Sequence, residues 1–193
     1  RDRPMISEGW IPLDRFQGAA DAPGVTADQL AAINALPQVL RQLSASDVIV
    51  RGMYLMNTLP MHETPWFCRC FDAAALAQAV PLIAGKPVLV NHTTDGRDGL
   101  PVGRFFGAQL ETRPDGSTWV AALFFMLNDA GGQEIAARID SGVYAENSPT
   151  VMYDSLACSI CGVDDLNCEH APGKMYDGAK CYAVMSGITD VLE

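Results

Sequence analysis

The chain has 193 residues, 49% of them hydrophobic, which is enough for one ordinary core with a small appendage and makes stapling by disulfides unnecessary. Its formal net charge of −10 argues against a cationic nucleic-acid surface, because phosphate contacts need clustered Lys and Arg. No segment approaches the roughly 20 apolar residues of a membrane span, and no basic-then-apolar start suggests secretion.

Residues 1–24 carry Pro4, Pro12, Gly18 and Pro23 and read as an irregular arm; together with the helix that follows they form an N-terminal unit, 1–46. Thr26 can cap that helix, with Asp28 in its first turn. Leu30, Ile33, Leu36, Val39, Leu40 and Leu43 make a helical stripe, kinked or restarted at Pro37. Asp47–Asn57 is β-branched and alternating, so a strand is expected. Leu59–Thr64, with His62, reads as a solvated loop, and Trp66–Cys70 as a second strand with Cys68 and Cys70 as core thiols. Phe71–Val80 is alanine-rich and helical, with Asp72 near its start, extended toward Ala84 and ended by Gly85. Pro87–Asn91 is a buried strand leading to His92, and Thr93–Gly99 a Gly/Asp-rich loop.

Val102–Leu110 and Thr118–Phe125 are expected to pair antiparallel around the turn Pro114-Asp115-Gly116. Ala130–Ser141 is a helix closed by Gly142. Tyr144–Met152 returns as a strand bearing Ser148, and Cys181–Leu192 is the closing strand. This order predicts an α+β domain over 47–193, mostly antiparallel.

Between the last two strands lies a cysteine-rich insert, 157–181. Cys158-Ser-Ile-Cys161-Gly has the form of a metal knuckle, since two intervening residues let both thiolates face one ion. Cys168, His170 and Cys181 follow, and four of these five residues could complete a tetrahedral zinc shell. Without a signal peptide, such clustering favours metal over disulfides. A closed shell implies structural zinc, which replaces the apolar core that this Gly- and Pro-containing loop lacks.

The segment Pro-Val-Leu-Val-x-His (87–92) is followed by Val-Gly-Arg (102–104) and the Asp-Gly hairpin (115–116). A strand ending in Phe124-Phe125, a helix ending Ile-x-x-Gly (139–142) and the strand with Ser148 complete the order. From about Asp47 onward, the pattern resembles the prohead maturation proteases of tailed bacteriophages, which share a fold with herpesvirus assemblin. The resemblance implies a β-barrel surrounded by helices, and a serine endopeptidase that cleaves scaffold and major capsid proteins inside the immature head. His92 and Ser148 match the catalytic base and nucleophile, and Glu193 the third, acidic residue, with Asp190 and Asp154 as substitutes. The partners implied are phage scaffold and capsid proteins, with a homo-oligomer compatible, and the location is the procapsid in the host cytoplasm. Pro149 departs from the pattern, because it cannot donate the N–H that follows the nucleophile to an oxyanion. The alternative expectation is therefore an inactive, capsid-associated structural protein on the same fold.

Overall fold

A computed structural model describes residues 5–8, 11–12, 24–64, 67–91, 99–164 and 167–192. They form an α+β fold of mostly antiparallel strands, with a curled half-barrel sheet and three helices. The expected loop at Thr93–Gly99 falls almost entirely outside them, as do His92 and Glu193.

Thr26 caps α1 (Ala27–Asn34) as expected, and does so reciprocally. Its hydroxyl accepts from Gln29 N at 3.1 Å, while Gln29 Oε1 accepts from Thr26 N at 3.0 Å. The helix does not resume after Pro37. Leu40 is 94% exposed, so it leaves the expected stripe, whereas Ile33, Leu36 and Leu43 are buried. Asn34 turns the chain back by bonding the Leu43 backbone in both directions, at 2.8 and 3.0 Å.

The central sheet runs in the order β3 (Val48–Asn57), β8 (Thr118–Leu127), β7 (Gly103–Thr112), β6 (Pro87–Val88), all antiparallel. Both of its faces are covered. One meets α1 through Val48, Val50, Phe106 and Phe125; the other contributes Met53, Phe105, Phe124 and Met126 to the main core. Cover on two sides explains why Trp119–Met126 reads as a nearly unbroken apolar run instead of an alternating one. The turn between β7 and β8 lies where Pro114-Asp115-Gly116 predicts it, with Gly116 at φ 84°. Asp115 Oδ1 fastens it by accepting from both Ser117 N (2.9 Å) and Ser117 Oγ (2.6 Å).

The second sheet has the order β1 (Met5–Glu8), β10 (Thr150–Cys158), β13 (Ala183–Val191), β5 (Phe67–Phe71), β4 (Met61–Thr64). Three features differ from the sequence expectation. Met5–Glu8, expected to be irregular, pairs with β10 as an edge strand. Met61–Thr64, expected as a loop, forms a hairpin arm with β5; the His62 side chain lies outside the described residues. β5 joins β13 in parallel, a pairing between strands more than a hundred residues apart that no local signal announces.

α2 (Ala73–Ile83) lies against β13 and the central sheet, with Leu76, Ala79 and Ile83 buried. Asp72 caps it by accepting from Ala75 N at 2.6 Å and also accepts from Ser186 Oγ at 2.6 Å, fixing helix to sheet. Pro81 lies in the last turn of the helix, so the one bond its missing N–H forgoes, to the carbonyl of Ala77, is close to where the helix ends. α3 (Ala130–Asp140) matches its expected bounds to within a residue, and Gly142 follows at φ 75°.

The continuous strand expected over Tyr144–Met152 is interrupted. β9 (Glu146–Asn147) pairs with β2 (Ile11–Pro12), and β10 begins only at Thr150. Pro149 stands in the gap, where its missing N–H could not have served a ladder. Among the described residues, no helix is long and apolar enough to cross a membrane.

Candidate metal centre and adjoining cleft

Cys158 closes β10, and the chain then turns through Ser159-Ile160-Cys161-Gly162, with Gly162 at φ 72°. The tight turn points backbone donors at sulfur: Ile160 N lies 3.4 Å from Cys158 Sγ, and His170 N lies 3.2 Å from Cys168 Sγ. Cys158 Sγ, Cys161 Sγ, Cys168 Sγ and one His170 ring nitrogen all lie within 4.8 Å of one another, and none of the thiols is in a disulfide.

Two of the donor separations lie close to those around one tetrahedral ion. Zinc bonds of about 2.3 Å to sulfur and 2.0 Å to nitrogen put neighbouring sulfurs about 3.8 Å apart, and sulfur about 3.5 Å from nitrogen. Here Cys161 Sγ to Cys168 Sγ is 3.4 Å, and Cys168 Sγ to His170 Nδ1 is 3.3 Å. The His170 ring also meets the Tyr176 ring edge-on at 4.5 Å, which limits its rotation. The four donors are therefore a cluster that could bind a metal ion.

Cys181 was a fifth candidate, and the structure sets it beside the cluster. It is fully buried, with its Sγ 3.6 Å from Cys158 Sγ, but it does not belong to the group of four. Burial works against ionisation of Cys158; the N–H groups of Cys161 and Ile160, then the thiols of Cys168 and Cys181, outweigh it and bring the pKa from 9.0 to about 6. Cys168 goes the other way, to about 11, chiefly through burial and the neighbouring thiols Cys161 and Cys158. Without metal, Cys158 is thus the thiol of this pair that takes the charge. Of the other two cysteines, Cys68 is buried and Cys70 half-buried, with burial foremost in pushing the Cys70 thiol to about 11.

At the opposite end of β10 lies a cleft of about 720 Å³. Its walls are largely apolar, including Met53, Leu55, Phe105, Phe124, Ile135 and Ile139, and its lining also includes Asn91, Asn147, Ser148 and Pro149. Ser148 Oγ is shielded from solvent and has no hydrogen-bond partner among the described residues; Asn147 Oδ1 shares that condition. The Asn147 amide is held by its other end, with Nδ2 donating to Tyr54 O at 2.9 Å. Nothing in the sequence singled out Asn147, since an Asn beside a strand break is ordinary.

His92 and Glu193, the other two catalytic candidates, lie outside the described residues. Asn91 directly precedes His92 and lines the same cleft as Ser148. The strand leading there is shorter than expected. β6 covers only Pro87–Val88 at a sheet edge, and Val90 is 44% exposed. Of the acidic substitutes, Asp190 is engaged by Lys86 Nζ at 2.6 Å and by Val191 N at 2.8 Å, while Asp154 is exposed.

Fold and donor set together define an α+β domain with a cluster of three cysteines and a histidine able to hold a metal ion. In comparison with known proteins, no family model, no curated protein and no solved structure matches this chain.

Proposed function

We propose that the chain is a serine endopeptidase of the phage prohead-maturation type, with Ser148 as nucleophile, His92 as base and Glu193 orienting the base. The observation that carries this reading is the cleft: Ser148 lines it together with Asn91, the residue next to His92. A buried hydroxyl with no partner among the described residues is free to give its proton to an imidazole, which makes serine a competent nucleophile near neutral pH. The apolar walls suit a polypeptide side chain beside the bond to be cut. In this reading the half-barrel sheet belongs to a closed β-barrel. The substrates are scaffold and major capsid proteins, met inside the procapsid, and a homo-oligomer is compatible with it.

The metal in this proposal is zinc, held by Cys158, Cys161, Cys168 and His170 in a closed shell. With no position left for water, the ion has a structural role and takes no part in hydrolysis.

Pro149 favours a second reading. The residue after the nucleophile cannot donate to an oxyanion, so the same fold could serve as a non-catalytic capsid-associated protein. A fluorophosphonate probe separates the two. The peptidase reading expects covalent labelling of Ser148 that is lost in His92→Ala. Unlabelled intact protein that also leaves capsid and scaffold substrates uncut transfers the assignment to the structural role.

A further inference from the structure

The thiols at the metal centre divide into two pairs that differ in access to solvent. Cys161 is exposed and Cys168 half-buried, with their sulfurs 3.4 Å apart. Cys158 and Cys181 are 2% and 0% exposed, with their sulfurs 3.6 Å apart. Between Ser159 and Lys180, no described residue is buried. That segment, in its described residues, forms no apolar core of its own. Besides the donor cluster, it is fastened by the short ladder of β11 (Met175–Tyr176) with β12 (Ala179–Lys180), by Ala171 N donating to Tyr176 Oη at 2.8 Å, and by scattered backbone bonds.

We infer that Cys161 and Cys168 are an oxidation-sensitive latch: a hydroperoxide joins them in a disulfide, which expels the metal ion and releases segment 159–180, while Cys158 and Cys181 stay reduced. This rests on the metal reading above, and is independent of the peptidase reading.

The chemistry balances. The Cys161 thiolate attacks one peroxide oxygen and the O–O bond breaks. The sulfur becomes a sulfenic acid, and the departing hydroxide, or alkoxide from an organic hydroperoxide, takes up a proton. The Cys168 thiolate then attacks that sulfur and the S–O bond breaks. The second hydroxide is protonated to water, and the two thiolates have given two electrons to the peroxide. The ion keeps its charge throughout. Sulfurs already 3.4 Å apart need only close to a bond of about 2.05 Å. The described residues around them form no packed core to resist that movement. Cys158 and His170, even with the neighbouring Cys181, leave at most three donors, short of the four ligands of a structural zinc shell, so the ion leaves. The buried pair is spared because peroxide does not reach it.

The test uses the full chain, loaded with zinc under reducing conditions, desalted and treated with hydrogen peroxide. Zinc release is followed with a metallochromic indicator, thiols are counted, and disulfides are mapped by mass spectrometry. One zinc should leave per chain as two thiols disappear, with a Cys161–Cys168 cross-link as the first product. Reductant plus zinc should restore the starting state. Zinc retained through the treatment, or released with a Cys158–Cys181 cross-link formed first, overturns the latch and leaves the metal centre standing. Fully reduced protein that takes up no zinc at all overturns the metal reading, and the latch with it.

Discussion

Cys158 Sγ lies 3.6 Å from Cys181 Sγ, so the candidate metal-binding cluster touches the end of β10 and the residues that lead into β13. These two strands pair antiparallel over most of their length. At the far end of the ladder, Leu192 N donates to Thr150 O at 2.9 Å, two residues from Ser148. The cluster and the cleft thus cap opposite ends of one two-stranded unit.

Removal of metal should loosen that unit. A structural ion contributes folding free energy directly, and its loss should cost several kcal/mol. At about 2–4 °C per kcal/mol for a chain of this size, a strong chelator should lower Tm by roughly 10 °C or more. Thermal unfolding with and without chelator, both under reducing conditions, measures this. An unchanged Tm would remove the bracing role.

The metal-free protein should show a thiol-linked pH dependence. Cys158 ionises at about 6 in the folded chain against 9.0 for an ordinary thiol, so folding favours its thiolate. The stability it contributes is full above about pH 9, declines below that, and is gone once pH falls through about 6. Cys168, raised from 9.0 to about 11, opposes this only above about pH 9. Urea midpoints of reduced, metal-free protein should therefore rise between pH 6 and 9, and Cys158→Ser should flatten the rise.

Ser148→Ala should separate stability from activity. Among the described residues the buried Ser148 hydroxyl has no partner, so removing it should leave stability within about 1 kcal/mol and Tm within about 2–4 °C. The same variant should lose all fluorophosphonate labelling. A much larger loss of stability would mean that the hydroxyl has a partner beyond the described residues, and labelling that persists would remove Ser148 as the nucleophile.

Two glycines of β7 should respond oppositely to alanine. A Cβ on Gly103 would stand 2.5 Å from Phe125 O, a backbone atom that cannot swing aside. Gly103→Ala should cost about 1–3 kcal/mol and disturb the β6 edge beside the cleft, because Gly103 pairs with Val88. A Cβ on Gly107 meets nothing within 4 Å, so Gly107→Ala should be neutral or stabilising by about 0.5 kcal/mol. Chemical denaturation of the two variants checks the contrast.

What the sequence by itself determined was whatever neighbouring residues decide among themselves. Thr26 and Gln29 cap α1, Gly142 ends α3, Asp115 and Gly116 turn β7 into β8, and the Cys158–Cys161 knuckle carries its own geometry. Those signals act over a few residues, where propensity and hydrogen bonding are local. Only the tertiary structure decided that Met5–Glu8 pairs with β10, that β5 lies parallel to β13, that β6 stops after Val88, and that His170 stands in the group of four with Cys181 beside it. Strand pairing and donor choice depend on which distant surfaces meet, and a backbone edge accepts many partners equally until packing selects one.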